Sequence, residues 1–353
     1  MPVNPVSAVT LQAVGQSWTQ ASTDKFGFTE MPNVSCLDRR SGRTSTTYEI
    51  PNLDNALDKL SGLRDWEPGQ ALPVERTLGA TPITFQPRGV STRIISRATG
   101  RNIRTVFRDL ETNIVPILLT ELYGGIDREL ATILATAANW TAGGAPGVVA
   151  NFTDGAGAVA ANSVDEFGGD VVQPDEDMMV ALRPLRKFQG LRGMSLECVT
   201  NSHVLDVFSR SPTFTGAGAG SGIASRIPTE VFIERFMAVL RLDRLHIMDG
   251  VVDENPAGLV SDPNYLANGL CWFGLLDRRG QMDLRNDGSM DAPDGALYFA
   301  QSRDPEVVSW LTPGMETESF TGRAGYDIYI PRNDFGVVMN PVGPGGIFAV
   351  LPG

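Results

Sequence analysis

The stretch 101–140 constrains the fold more than any other. Its apolar residues, from Ile103 and Phe107 through Leu110, Ile114, Leu118, Leu122, Ile126, Leu130 and Leu134 to Ala137, recur at three- and four-residue steps. That period places them on one stripe of a helix, together with Ile117 and Ile133. A helix of this length spans about 55 to 60 Å. Pro116 removes a backbone donor and crowds the carbonyl four residues back, and Gly124-Gly125 adds a second soft point, so the sequence predicts a kink near 116 and a break near 124. A rod this long exceeds the width of an ordinary compact domain, and the rest of the chain must be strung along it.

The flanking segments differ in kind. Residues 1–30 are small and polar with no strong period, which reads as an extended arm. Residues 31–98 hold short strand-like runs at 33–37, 44–50, 83–86 and 90–96, broken by Pro32, Pro51, Pro68, Pro73 and Pro87. Such runs are strand fragments joined by tight turns. They carry too few large apolar residues to bury a core alone, so this region is expected to be a two-stranded excursion that lies on something else. A glycine- and alanine-rich loop follows Trp140. A helix then starts near Asp175, whose acids suit an N-terminal turn, and a strand covers 194–200. Asn201 or Ser202 caps a short helix, Thr229 opens another, and 244–252 and 269–277 read as strands of a second core. From 292 onward the pattern is β. The chain is therefore read as α+β.

Charge excludes some roles. There are 41 acidic residues against 29 basic ones, a net charge of -12, so a whole-surface grip on nucleic acid is not expected. All but three of the basic residues (Lys25, Lys59 and Lys187) are arginine, the side chain suited to bidentate pairing with carboxylates. The arginines concentrate in one strip, with Arg64, Arg76, Arg88, Arg97, Arg101, Arg104 and Arg108, while 154–177 carries acids and no base, among them Asp165, Glu166, Asp170, Asp175, Glu176 and Asp177. Arg97, Arg101, Arg104 and Arg108 share one helical face. These two strips are candidate electrostatic contacts between subunits, with a solvated face as the plainer reading.

Searching for chemistry yields no catalytic, cofactor or metal constellation. Cys36, Cys198 and Cys271 lie far apart, which fits buried, idle thiols in a reducing compartment. His203 and His246 lack ligand-spaced partners and read as ordinary packed or surface residues. The run GAGAGSG at 216–222 lacks dinucleotide-loop spacing and reads as a flexible loop. No apolar run is long enough to cross a bilayer, and the N-terminus has no basic region ahead of an apolar core, so neither anchor nor secretory signal is expected.

The order of parts does resemble a known family. Arm, proline-broken hairpin and long helix, then VTNSHVLDVFSRSPTF, FMAVLRLDRLHIMDGVVDEN and GLCWFGLLDRR, together are similar to the HK97-type major capsid proteins of tailed bacteriophages, over about residues 30–350. The resemblance implies an arm at 1–30, an extended loop at 31–98, a peripheral domain with the spine helix at 99–177, an axial domain at 178–310, and a return to the peripheral domain at 311–353. It implies hexamers and pentamers that close an icosahedral shell around double-stranded DNA, assembled in the host cytoplasm. Portal and scaffolding proteins would be partners, a decoration protein could bind outside, and contact with DNA would be weak and nonspecific.

Residues 1–30 are too short and uncharged for a built-in scaffolding segment, so a separate scaffold or none is expected. The namesake shell is joined by lysine–asparagine isopeptide bonds. Only Lys59 falls in the extended loop here, with Asn333 and Asn340 the nearest partners in that scheme, so the shell is expected to be non-covalent. An encapsulin-like compartment is the alternative reading, and a soluble enzyme the third.

Overall fold

The computed structural model describes residues 27–35, 47–53, 78–84, 86–95, 110–141, 174–192, 194–209, 214, 229–253, 263–265, 270–278, 282–283, 295–312 and 317–339. A 3-10 turn at Gly27–Glu30 leads into β1 (Asn33–Ser35), β2 (Thr47–Leu53), β3 (Leu78–Thr84) and β4 (Gln86–Ile95). The long helix α1 (Leu110–Ala135) follows, then α2 (Pro174–Arg192), β5 (Ser195–Thr200), α3 (Ser202–Phe208), α4 (Thr229–Leu240) and β6 (Arg244–Ile247). The chain continues with β7 (Val251–Asp253), β8 (Pro263–Tyr265), β9 (Cys271–Leu276), β10 (Met282–Asp283), β11 (Tyr298–Thr312), β12 (Thr317–Tyr329) and β13 (Gly336–Val338).

Two sheets organise these elements. The first has strand order β10-β1-β11-β12-β4. Its backbone is the antiparallel β11–β12 hairpin, with β4 antiparallel along β12 from Gln86 opposite Tyr326 to Ile95 opposite Thr317. The hairpin register shifts between Gln301 and Arg303 and again between Arg303 and Glu306. Pro305 lies in that interval and has no N–H to give the ladder. The second sheet has order β13-β9-β5-β6, with β5 and β6 parallel and the other pairs antiparallel. Its central strand β9 is buried along its whole length, as a continuous apolar run predicts. β2 pairs with β3 as a separate two-stranded ribbon.

α1 packs on the first sheet, against β12, β11 and β4. Ile114, Leu118, Leu122, Ile126, Leu130 and Leu134 form its buried line, whereas Ile117 is 57% exposed and lies off the core stripe. The helix is continuous from Leu110 to Ala135, about 39 Å by its rise, so the break expected near Gly124 does not occur. Buried Leu122, Tyr123 and Ile126 hold the backbone helical on both sides of the glycines, where an added Cβ would meet nothing within 4 Å. Residues 101–109 lie outside the described residues. At its C-terminal end two carbonyls find side-chain donors: Asn139 Nδ2 donates to the Ile133 carbonyl (3.0 Å) and Trp140 Nε1 to that of Leu134 (3.1 Å).

Trp140 then carries the end of α1 onto the second sheet. Its ring lies 5.1 Å from that of Trp272 on β9. Gly336 and Gly274 are cross-strand partners beneath these indoles. A Cβ at Gly274 would sit 2.1 Å from the Trp272 ring, and one at Gly336 would sit 2.2 Å from the Trp140 ring. Only residues without a side chain let the two rings seat there. α2 packs against β5, β9 and β13 of the second sheet and also meets α4, and Phe208, Phe214, Phe232 and Phe236 form one aromatic cluster.

One consequence concerns the last part of the chain. The division expected at 310/311 falls inside β11, and β13 joins the second sheet, so the segment after 310 serves both sheets. Chain order hides this because the turn between β12 and β13, Asn333–Phe335, is what carries the backbone across.

Three glycine substitutions, two of one sign and one of the other, test this packing. Gly274→Ala or Gly336→Ala is expected to cost about 1 to 3 kcal/mol by overpacking against an indole. Gly125→Ala, on the exposed side of α1, is expected to add about 0.5 to 1 kcal/mol. Urea midpoints at unchanged m-value would read both.

Candidate functional site

The residues just before β1 sit where the two sheets meet. In sequence they end the stretch read as an arm, but Phe28 is buried and Gly27–Glu30 form a 3-10 turn within the core. The Phe28 ring packs edge-on to Tyr123 of α1 and tilted against Phe299 of β11, each at 5.1 Å. The tight turn leaves backbone donors that need acceptors. Asp127 of α1 supplies them: Oδ2 accepts from the Gly27 N–H (3.0 Å) and Oδ1 from the Phe28 N–H (2.8 Å). Burial pushes the Asp127 carboxyl up to about 6, and the two N–H groups only partly oppose this.

The same turn holds the second sheet through charge. His246, on β6, is almost fully buried. Its Nδ1 lies 2.5 Å from Glu30 Oε2 and its Nε2 lies 2.5 Å from Glu197 Oε2 on β5. Arg278, just after β9, donates from Nε to Glu197 Oε1 (2.8 Å) and from Nη2 to Glu197 Oε2 (2.6 Å). Its Nη1 donates to the Glu30 main-chain carbonyl (2.7 Å). A neutral imidazole offers one donor and one acceptor, yet here both nitrogens face carboxylate oxygens. The Arg278 guanidinium supplies a fixed positive charge beside the buried Glu197 carboxylate. Burial pushes Glu197 upward, but the Arg278 and His246 hydrogen bonds outweigh it and hold the carboxyl down at about 2.

An open groove of about 810 Å³ runs over this junction, lined by residues 29–32 on one side and by Met237, Asp243–His246, Asp277 and Arg278 on the other. The cluster ties the 27–30 turn, β5, β6 and the residues just after β9 to one another. Among the described residues no group of three or more His, Cys, Asp or Glu side chains is placed to hold a metal. No described helix is long and apolar enough to cross a membrane. Cys198 and Cys271 are free and buried, and burial together with the neighbouring Cys271 thiol pushes Cys198 well above its usual range, which leaves it inert.

The candidate contacts from sequence fall differently. Asp175, Glu176 and Asp177 form the first turn of α2, where acids oppose the exposed N–H groups of the helix end. The backbone of Arg88 lies in β4 opposite Ala324. Arg64, Arg76, Arg97, Arg101, Arg104 and Arg108, with Asp165, Glu166 and Asp170, lie outside the described residues, as do Lys59 and Asn340. Asn333 is held by Thr141, whose N–H donates to its main-chain carbonyl (2.8 Å) and whose hydroxyl reaches its Oδ1 (3.4 Å). The Glu30–His246 junction was missed from sequence. Alternation in RLHI points Leu245 and Ile247 inward, yet His246 is the buried residue and Ile247 is 40% exposed.

Removing Arg278 would leave Glu197 buried with less compensation, so Arg278→Ala is expected to cost about 3 kcal/mol. The pH signature follows from the sign. A carboxyl held at about 2, against an ordinary 4.5, stabilises the fold above pH 4.5 and loses that contribution as pH falls through 2. Stability profiles between pH 5 and 2 should therefore fall less steeply in Arg278→Ala than in the unaltered protein.

No family model and no curated protein sequence matches this chain. Solved structures do. A phage-related protein from Bordetella bronchiseptica RB50 is 12% identical, with a TM-score of 0.59 over 96% of this chain and 97% of its own. The capsid of a native GTA particle is 12% identical, with a TM-score of 0.48 over 96% of this chain and 92% of its own. The capsid of cyanophage P-SCSP1u is 10% identical, with a TM-score of 0.47 over 88% of this chain and 86% of its own. The fold extends over nearly the whole length of the phage-related protein, and the chain shares that protein's α+β fold.

Proposed function

We propose that this chain is a major capsid protein, a structural shell subunit whose identical copies assemble into hexamers and pentamers of an icosahedral shell around packaged double-stranded DNA. The observation that carries the reading is the fold shared end to end with a phage-related protein. Two features support it. The β2–β3 ribbon pairs only with itself among the described residues, and a lone two-stranded hairpin is marginal in water without a surface to lie on. The junction chemistry is spent on holding parts together, with no free nucleophile or base gathered in the groove.

In this reading 31–98 carries the extended loop, with β1 and β4 rooting it in the first sheet. Residues 99–177 supply the spine helix of the peripheral lobe, 178–310 centre on the axial lobe, and 311–353 return through both. The arginine strip and the 154–177 acids would meet across copies. A portal, with a separate scaffolding protein or none, completes assembly in the host cytoplasm, a decoration protein could bind outside, and arginine patches give weak, nonspecific contact with DNA.

Light scattering and negative-stain micrographs of the purified full-length chain test the proposal: megadalton shells or capsomers are expected, and a stable monomer or dimer overturns it. Boiling assembled particles in detergent should release one band near 38.0 kDa, and a ladder would contradict the non-covalent shell.

A further inference from the structure

We infer that β6 is the docking edge for a strand from a second copy of this chain, and that residues 346–351 of that copy supply the strand. The inference rests on the proposed association of identical copies, and not on those copies closing a shell.

The ladder shows which main-chain groups stand open. β6 is the outermost strand of the second sheet, next to β5. The Met248 N–H donates to the Thr200 carbonyl (2.8 Å). In a parallel pair of this register Arg244 and His246 therefore turn their main-chain groups toward β5, while Leu245 and Ile247 turn theirs outward. Among the described residues no backbone hydrogen bond reaches those outward N–H and C=O groups. Such an edge is a template for another chain. The open groove runs along it, with Asp243–His246 in one wall and residues 29–32 in the other, and Ile247 at its end is 40% exposed.

The lining selects the chemistry of the strand. Glu30, Asp243, Arg244 and Asp277 put both signs of charge among Met31, Met237 and Leu245. A strand carrying either charge would set like against like somewhere along this wall, whereas an uncharged apolar strand would not. Residues 346–351, Gly-Ile-Phe-Ala-Val-Leu, lie outside the described residues and fit that demand. No charged residue follows Asp334, and Ile347, Phe348 and Val350 are strand formers. Main-chain pairing would give the contact its strength and alternate side chains its register.

Reach assigns the strand to a neighbour. β13, β5 and β6 run in the same direction, and Val338, Trp272, Val199 and His246 stand in one row across the sheet. From β13 to a position beyond β6 is four strand spacings, about 19 Å. Residues 340–345 cover about 20 Å when fully extended, which leaves no length for the turns that would bring them back along β6 of their own sheet. A second copy meets no such limit.

Cross-linking of co-expressed full-length chains tests this. In a Cys36→Ser background, where Cys198 and Cys271 are buried, one chain carries Arg244→Cys at an exposed position. The other carries Ile347→Cys, Phe348→Cys, Ala349→Cys, Val350→Cys or Leu351→Cys. A short bis-maleimide is expected to give a band at twice the chain mass, strong at every second position of the series, as the two faces of a strand require. No such band, equal yield at all five positions, or cross-linking only within a chain that carries both cysteines would overturn the inference. Hydrogen exchange supplies a readout that needs no cysteine. The Leu245 and Ile247 amides should exchange about tenfold or more faster when copies of the unaltered chain are dissociated by dilution, or in Ala349→Pro, than in the associated protein. Equal rates would also overturn it. Micrographs of the same samples report assembly separately, so shells that form without the mixed band leave the capsid reading standing and remove this one.

Discussion

The two sheets share one short piece of chain. Residues 27–32 give backbone N–H groups to the long helix, a carboxylate and a carbonyl to the second sheet, and a carbonyl to β11 of the first. Burying the Phe28 ring contributes about 2 to 3 kcal/mol, and its two aromatic contacts add about 0.5 to 1.5 kcal/mol each. Those gains offset the desolvation of Asp127, a buried carboxylate with no cation among the groups that set its pKa. A second tie lies at the far end of α1, where Trp140 rests on Trp272 above two glycines. One end is fastened by charge and hydrogen bonds, the other by shape.

Under the proposed shell function, this division would suit a subunit that keeps its form while neighbouring copies load it. Close-packed indoles over glycine admit few alternatives, since packed interiors resist small changes of volume. The junction at the other end is instead held by directional hydrogen bonds and ion pairs.

Much of this was legible in the sequence where the signal is local. The three- and four-residue period predicted α1, the acidic triplet at 175–177 predicted the start of α2, and Asn201 caps α3 through its Oδ1 and the Val204 N–H (2.8 Å). β9 was legible as an unbroken apolar run. What was not legible depends on partners far apart in the chain. Glu30 and His246 are 216 residues apart, and neither carries a pattern that predicts the other. Alternation along β6 would point Ile247 inward, but the strand is four residues long and the turn lies over His246 instead. Gly124-Gly125 looked like a break because propensity was weighed without the buried residues on each side. The order of parts carried the resemblance to capsid proteins even though no single motif would have.

The central claim is that residues 27–32 couple the two sheets into one cooperative body. Native-state hydrogen exchange with increasing denaturant, applied to a Phe28→Ala, Glu30→Ala double variant, tests it most directly by following amides of β11 and β12 against those of β5 and β9. The account predicts that the two sheets open together in the unaltered chain and at separate free energies in the variant. Sheets that still open as a single unit without those two side chains would contradict it.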